Sequence, residues 1–386
     1  MDLSSYGLNY VLPENTGKVL YADFNKMPRD KISPIAYDSQ NLTLKFTSGT
    51  YKLGKLLGRG TYGHVYEATD IITNKVYAVK AQDVRKSSYV HDIIVEAIIH
   101  ILLYDTSRNQ INGPYVPIFY EIGYIPNNNI FGVPVIISRM ELLTNSIHDY
   151  IKYTETIDIN FTISTMLIQV ANILDFFHKT FKMNHRDLKS NNIMYVMDEA
   201  GNMHIRLIDF GLSCLTYNGV FYSLRDSFYS GEHSRCDHEG RDLTFLIIIT
   251  LIEYRKYLSP ELKNILRDLI TFNARGRQCI IDNNFCPELG VMKFDDVYTF
   301  LNSANVVNKK ATPTIVKYKM IEYLMNKGKI QGAFFNAMKE ADPPYIRQTR
   351  KNTVRNKHNT RKNTAQKRGV FNIFKRGFGS RKIRVV

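Results

Sequence analysis

The sequence has no tryptophan and only four cysteines, Cys214, Cys236, Cys279 and Cys286, among 386 residues. No two of them form a CxxC pair, so the close ligand spacing of a structural zinc site is missing. His233 and His238 lie beside Cys236, but reduced thiols in a cytosol-like compartment are the expectation there. Long apolar runs are also scarce. The longest, FLIIITLI at 245–252, falls well short of the roughly 20 residues that a membrane-spanning helix needs, and it reads as a buried helix. No transmembrane segment is therefore expected. Met1 to Asn25 holds no apolar stretch of the kind a secretory signal requires, which points to a cytoplasmic protein.

Acidic residues are missing from one region only. From Pro343 to Val386 there are 14 Lys and Arg and no Asp or Glu. The chain as a whole has 51 basic and 36 acidic residues, so removing those 14 leaves 37 against 36. The net charge of +15 thus belongs to the tail, and the body is near neutral. Thr, Asn, Lys and Arg alternate in the tail without enough apolar surface for a core, so it is expected to be disordered. Nucleic acid or an anionic membrane surface is the natural partner for such a segment. Phe371, Phe374 and Phe378 favour the membrane slightly, and a merely solubilising tail is the bland alternative.

What is present in the body is 44% apolar residues and 23% charged, a globular composition. From Tyr51 the pattern reads strand, Gly-rich turn, strand in YKLGKLLGRGTYGHVYEATD, then a third strand in TNKVYAVKAQD. YVHDIIVEAIIHILL has helical spacing over about 89–103. FGVPVIISRMELL reads as a strand that runs into a connector, and LTLKFT at 42–47 as an edge strand. Beyond it the chain turns helical, with a long amphipathic helix in FTISTMLIQVANILDFFHKT. Two short strands follow at NIMYVM and HIRLIDF, with further helices at 242–254, 260–272, 294–303 and 313–341.

Four short stretches carry chemistry. Gly58, Gly60 and Gly63 form GxGxxG followed by Val65, and glycine lets backbone amides approach phosphate. A dinucleotide-binding fingerprint fits poorly, because that motif opens a helix and HVYEAT reads as a strand. Lys80 ends YAVK on the next strand, where an inward lysine needs an anionic partner. Glu96 on the following helix is the best candidate, and Asp92 is the second. HRDLKSNN places Asp187, Lys189 and Asn192 together, and Asp209 opens DFG 17 residues beyond Asn192. An Asp carboxylate and an Asn carbonyl suit a hard cation, while a second carboxylate can take a proton from an incoming hydroxyl. That division makes Asn192 and Asp209 metal ligands, Asp187 the base and Lys189 a steadying cation for phosphate.

Singly each motif is weak. In this order and spacing they resemble the eukaryotic-type protein kinase family, firmly over Tyr51 to Asp242 and weakly to about Leu301. The resemblance implies an α+β, two-lobed fold that binds ATP and magnesium between the lobes. It divides the chain into an extension at 1–50, a β-rich small lobe with one helix at 51–140, a connector and helical large lobe at 141–342, and the tail at 343–386. It implies that Leu57, Val65 and Ala78 cover the adenine with Met194 beneath, and that Lys80 pairs with Glu96. It sets Met140 at the end of the small lobe, followed by Glu141, Leu142 and Leu143 as the connector. It also implies that Asp242 braces the catalytic loop and that Arg186 meets a phosphate in the segment after DFG. Thr216, Ser223, Ser227 and Ser230 are the available hydroxyls. Lys189 makes the pattern Ser/Thr-like, with protein substrates.

The chain departs from the family by lacking an APE after Gly211, where Glu232 with Arg275 or Arg277 would be the substitute, and by a short large lobe. These departures, with heavy use of Ile, Asn, Lys and Tyr, are similar to features of kinases from large DNA viruses. The competing readings are a pseudokinase used as a binding module, a small-molecule kinase of related fold, and a nucleic-acid-binding or membrane-binding protein driven by its tail. Deleting residues 343–386 is expected to abolish salt-dependent binding to duplex DNA or anionic liposomes in a titration against salt. Binding that survives the deletion dismisses a tail-based role.

Overall fold

The structure is a computed structural model that describes residues 1–13, 20–21, 31–60, 63–84, 87–126, 133–223, 239–270 and 310–330. All statements below concern these residues. The expected helix at 294–303, the end of the one at 313–341, the tail, and Ser227, Ser230, Glu232, Arg275 and Arg277 lie outside them.

The chain opens with a 3-10 turn at Ser4–Tyr6 and a short strand β1 (Leu20–Tyr21). The small lobe then lays down β2 (Ala36–Asp38), β3 (Thr43–Phe46), β4 (Gly49–Gly60), β5 (Gly63–Asp70), β6 (Val76–Asp83), α1 (Ser87–Ser107), β7 (Phe119–Ile125) and β8 (Val135–Glu141). The seven strands from β2 to β8 form one sheet in the order β2-β3-β4-β5-β6-β8-β7. LTLKFT is therefore an inner strand rather than an edge strand. The short Ala36–Asp38 strand lies outside it, with Asp38 turning the chain by accepting from the amides of Gln40 and Asn41.

Residues before β2 change the shape of this sheet. Pro34 bridges Tyr124 of β7 in parallel, with Tyr124 N–H donating to Ser33 O and Ile35 N–H to Tyr124 O, both at 2.9 Å. The same stretch continues into β2, which pairs with β3. The sheet thus closes on itself, and both edges are satisfied by one segment. Strand alternation sends Tyr77, Val79 and Ala81 of β6 inward with Ile35, Leu44, Phe46, Tyr51, Val135 and Ile137. Ala78, Lys80 and Gln82 are left on the other face. Gly123 is required where the segment crosses, because a Cβ there would lie 2.0 Å from Ile35 Cγ1.

A charge sits inside this closed sheet. Arg139 is 4% exposed and Glu121 5%. Their side chains meet at 3.7 Å, Ser48 Oγ donates to Glu121 at 2.5 Å, and Arg139 Nη2 donates to Ser48 Oγ at 2.9 Å. The guanidinium lies 4.5 Å from the ring centre of Tyr51 and 4.7 Å from those of Tyr77 and Tyr120. A bulge between Phe119 and Glu121 interrupts the β7–β8 register at Tyr120.

The large lobe follows as β9 (Asn145–Ser146), α2 (Ile147–Tyr153), α3 (Ile159–Phe181), β10 (Ile193–Met197), β11 (Met203–Leu207), β12 (Cys214–Tyr217), β13 (Val220–Ser223), α4 (Arg241–Tyr254), α5 (Pro260–Leu269) and α6 (Pro313–Asn326). Caps set several boundaries, since Ser146, Asp158, Ser259 and Thr312 each accept an amide in the first turn of α2, α3, α5 and α6. By length and composition α3 could cross a membrane. Here Ile163, Met166, Leu167, Val170, Leu174 and Phe177 are buried inside the protein, and Gln169 caps the edge of β11 through Met203 O and Ile205 N–H. Cys214 is buried and disulfide-bonded, against the expectation of reduced thiols; sequence spacing carries no information about distance across the fold.

Glu121→Leu should strand the Arg139 charge and lower unfolding stability by about 3–5 kcal/mol in urea titrations, with the Glu121→Leu/Arg139→Leu double variant regaining most of it. A single variant as stable as the parent would show that the pair is not desolvated.

Candidate active site

Lys80 Nζ is held from two sides. It donates to Glu96 Oε1 at 2.5 Å and lies 3.7 Å from Asp209 Oδ1. Burial works against its charge, but Glu96 and Asp209 outweigh burial and push the ammonium up to about 12. The strand runs through Lys80 to Asp83, and it carries a residue whose part in the site the sequence reading missed. Gln82, two positions on and so on the same face, donates to the other oxygen of Glu96 at 3.1 Å. Glu96 projects from the middle of α1, a helix buried on nearly all sides through Ile94, Val95, Ile98, Ile99 and Leu102.

The three glycines of the loop have different causes. A Cβ on Gly63 would lie 2.2 Å from Ala81 O, so close packing on β6 forces glycine there. A Cβ on Gly58 would meet nothing within 4 Å, and one on Gly60 only Gly63 O at 3.8 Å. Packing inside the protein does not demand glycine at those two positions. Cross-strand register lines up Gly58 with Val65, Val65 with Lys80, and Ala78 with Met140. Leu57 is exposed, Ala78 is buried, and Val65, Met140, Leu142 and Met194 are half-buried. The connector is fixed by Glu141, whose N–H donates to Ile118 O at 2.9 Å and whose carboxylate accepts from Ile118 N–H at 3.1 Å.

In the HRDLKSNN stretch, Lys189 Nζ donates to both oxygens of Asp187, at 3.1 and 2.8 Å. Asn192 Nδ2 donates to Asp187 O at 2.9 Å and Asp187 Oδ2 at 3.0 Å. That use of Nδ2 leaves the amide oxygen Oδ1 as the acceptor that Asn192 has to offer. The backbone joins the two motifs, because Ile208 N–H donates to Asn192 O at 3.1 Å. Asp209 and Arg186 both adopt left-handed backbone, with φ of 66° and 69°. Non-glycine residues hold that conformation only where surroundings over-determine it. For Arg186 the surroundings are Asp242, whose carboxylate accepts from His185 N–H at 2.8 Å, Arg186 N–H at 2.9 Å and Asn184 Nδ2 at 3.3 Å. Asp242 therefore spends its oxygens on the loop rather than on capping α4. Arg186 Nη1 reaches Ser223 Oγ at 3.4 Å.

Asp209 is held below the ordinary carboxylate range. Burial pulls the other way, and Lys80, His185 and Lys189 prevail over it. An ionised Asp209 and the free oxygen of Asn192 make a hard, oxygen-only donor pair, which fits a divalent cation such as magnesium. No group of three or more His, Cys, Asp and Glu gathers among the described residues, so the protein offers no closed metal cage.

A column of rings backs this arrangement. His185 lies tilted against Phe210 at 5.3 Å, and Phe210 meets His100 at 5.3 Å and His100 meets Phe119 at 5.1 Å, both edge-on. The sequence reading missed His100, although it sits one turn beyond Glu96 on the same helix face. Its Nε2 hydrogen-bonds to Pro117 O at 2.9 Å.

A model of the protein kinase domain matches residues 51–231. Over 171 residues, 44% of this chain and 23% of the other, the sequence is 30% identical to NUAK family SNF1-like kinase 1 of Mus musculus. It is 27% identical over 183 residues to the dual specificity protein kinase YAK1 of Saccharomyces cerevisiae, covering 46% of this chain and 21% of that one. It is also 27% identical over 175 residues to CBL-interacting serine/threonine-protein kinase 20 of Arabidopsis thaliana, covering 43% and 34%. The chain carries a protein kinase domain of the eukaryotic type, with the β-rich small lobe and helical elements expected of it. It spans well under half the length of these relatives.

Burial pushes His100 down to about 4, with Lys80 acting in the same direction against the Pro117 hydrogen bond. Unfolded histidine titrates near 6.5. The stability tied to neutral His100 is complete above about pH 6.5 and is lost as pH falls toward about 4, because only the unfolded chain takes up the proton. His100→Leu is expected to flatten the fall in urea stability across that window by on the order of 1 kcal/mol per pH unit. An unchanged slope would refute this account of His100.

Proposed function

We propose that this chain is a serine/threonine protein kinase that moves the γ-phosphoryl group of ATP to a protein hydroxyl. The observation that carries the reading is the convergence of Lys80, Glu96 and Asp209 at 2.5 and 3.7 Å, beside an Asp187 already bonded to Lys189 and Asn192. Lys80, fixed by Glu96, binds the non-transferred phosphates. The amides around Gly58 and Gly60 cradle phosphate, in keeping with glycines that no internal packing demands. Leu57, Val65 and Ala78 cover the base from the small lobe, Met194 from the large, with Met140 behind and the backbone of Glu141 and Leu142 along its edge.

Asn192 Oδ1 and the Asp209 carboxylate would hold magnesium, which would supply neutralisation of the charge that develops on the transferring group. Asp187 accepts the proton of the substrate hydroxyl as its oxygen bonds to the γ-phosphorus and the bridge to the β-phosphate breaks, releasing ADP. Lys189 moves from Asp187 toward the transferring phosphate, which accounts for a cation so close to the base. A lysine at that position and two relatives named as serine/threonine and dual specificity kinases support hydroxyl acceptors of the Ser/Thr kind.

Purified chain given labelled ATP, magnesium and generic protein substrates is expected to yield phosphoserine or phosphothreonine. Asp187→Asn and Lys80→Met are each expected to lower kcat/KM by at least about a hundredfold. Nucleotide binding without any transfer by the parent chain would establish a pseudokinase instead.

A further inference from the structure

The segment before the kinase domain is not an appendage. Leu3 and Leu8 are fully buried, and Leu12 is 1% exposed. Gly7 has φ of 84°, and a Cβ there would lie 2.1 Å from Ile122 O, so the turn presses directly on β7. Leu8 bridges Ile32, Asn9 N–H donates to Lys31 O, and Ser33 N–H donates to Gly7 O, which locks the turn to the strand that closes the sheet. The same segment reaches the stretch beyond Phe210 at two places. β1 pairs in parallel with β13, Leu20 opposite Val220 and Tyr21 opposite Phe221. Pro13 O accepts from Asn218 Nδ2 at 3.4 Å in the β12–β13 turn. The turn's own ring, Tyr6, meets Phe119 edge-on at 6.2 Å.

Tyr6 therefore extends the ring column to five members: Tyr6, Phe119, His100, Phe210 and His185. One end of that column lies in the N-terminal segment. The other lies beside Asp187. Its middle members neighbour Glu96 along α1 and Asp209 along the chain. We propose that residues 1–13 and 31–35, together with β1, act as an intramolecular strap, with Tyr6 as a positioning residue that holds Phe119, His100 and Phe210 in line and so keeps Lys80, Glu96 and Asp209 assembled without a partner protein. Edge-on ring pairs at these spacings are attractive and oriented, so loss of the outermost ring loosens its neighbour. The parallel pairing of β1 with β13 holds the segment after Asp209 by the same strap. This inference rests on the kinase reading for its activity readout, but not for its structural one.

The test uses the full chain. Tyr6→Ala removes a half-buried ring from the surface end of the column, and Tyr6→Phe keeps the ring. With nucleotide absent, Tyr6→Ala should speed hydrogen exchange in 96–101 and 207–213, while Tyr6→Phe leaves those amides as in the parent. In the phosphotransfer assay, well below the melting temperature, Tyr6→Ala should lower kcat by about tenfold with KM for ATP little changed, and Tyr6→Phe should restore it. Parental exchange in Tyr6→Ala overturns the strap whether or not the chain transfers phosphate. A parental kcat in Tyr6→Ala also overturns it. A parent chain that transfers nothing overturns the kinase reading alone, and the exchange comparison still decides the strap.

Discussion

One ammonium group, Nζ of Lys80, is where the small lobe, α1 and the Asp209 turn meet. Removed from water it would be unfavourable alone, and Glu96 would be unfavourable without it. Each neighbour of the pair follows from that constraint. Gln82 takes the second oxygen of Glu96, Asp209 supplies a second carboxylate, and the buried body of α1 holds the glutamate at the right depth. The helix register is the one that brings Glu96, and not Asp92 one turn earlier, to Lys80.

Precision in the large lobe has a different source. Asp242 turns three donors of residues 184–186 toward itself and stabilises Arg186 in a left-handed conformation that a side chain rarely adopts. The loop that presents Asp187 is thereby fixed from beneath by a buried carboxylate, while Lys189 and Asn192 orient it from above. The closed sheet plays the corresponding part in the small lobe. A free sheet edge at β7 would leave unpaired backbone groups, and Ser33–Ile35 satisfies them while carrying the N-terminal segment toward α1 and β13.

Much of this was legible beforehand, for physical reasons that differ by residue. The alternation in YAVK and the helical spacing around Glu96 are local, so the Lys80–Glu96 partnership could be expected from the sequence and Asp92 set second. The strand pair at Ile193–Met197 and Met203–Leu207 was equally plain. Gln82 was missed because nothing local marks a polar strand residue as the second partner of a helix glutamate. His100 was missed because a histidine among isoleucines gives no hint of the rings above and below it. Arg139 and Glu121, 18 positions apart, carry no sequence signal of their pairing, which arises only where the closed sheet surrounds them with tyrosines. In the first 50 residues only LTLKFT showed a strand pattern, since the N-terminal turn and the sheet-closing segment find their partners far along the chain.

The sequence by itself determined which motif side chains are present and in what order, since motif spacing and local periodicity are short-range properties. It also determined that the excess charge lies in the tail. Only the tertiary structure decided which of those groups touch, that the sheet closes around a buried ion pair, and that Tyr6 stands at the end of a column leading to the catalytic loop. Those outcomes depend on contacts between residues far apart in sequence, formed when burial forces each polar group to find a partner, and no local pattern encodes them.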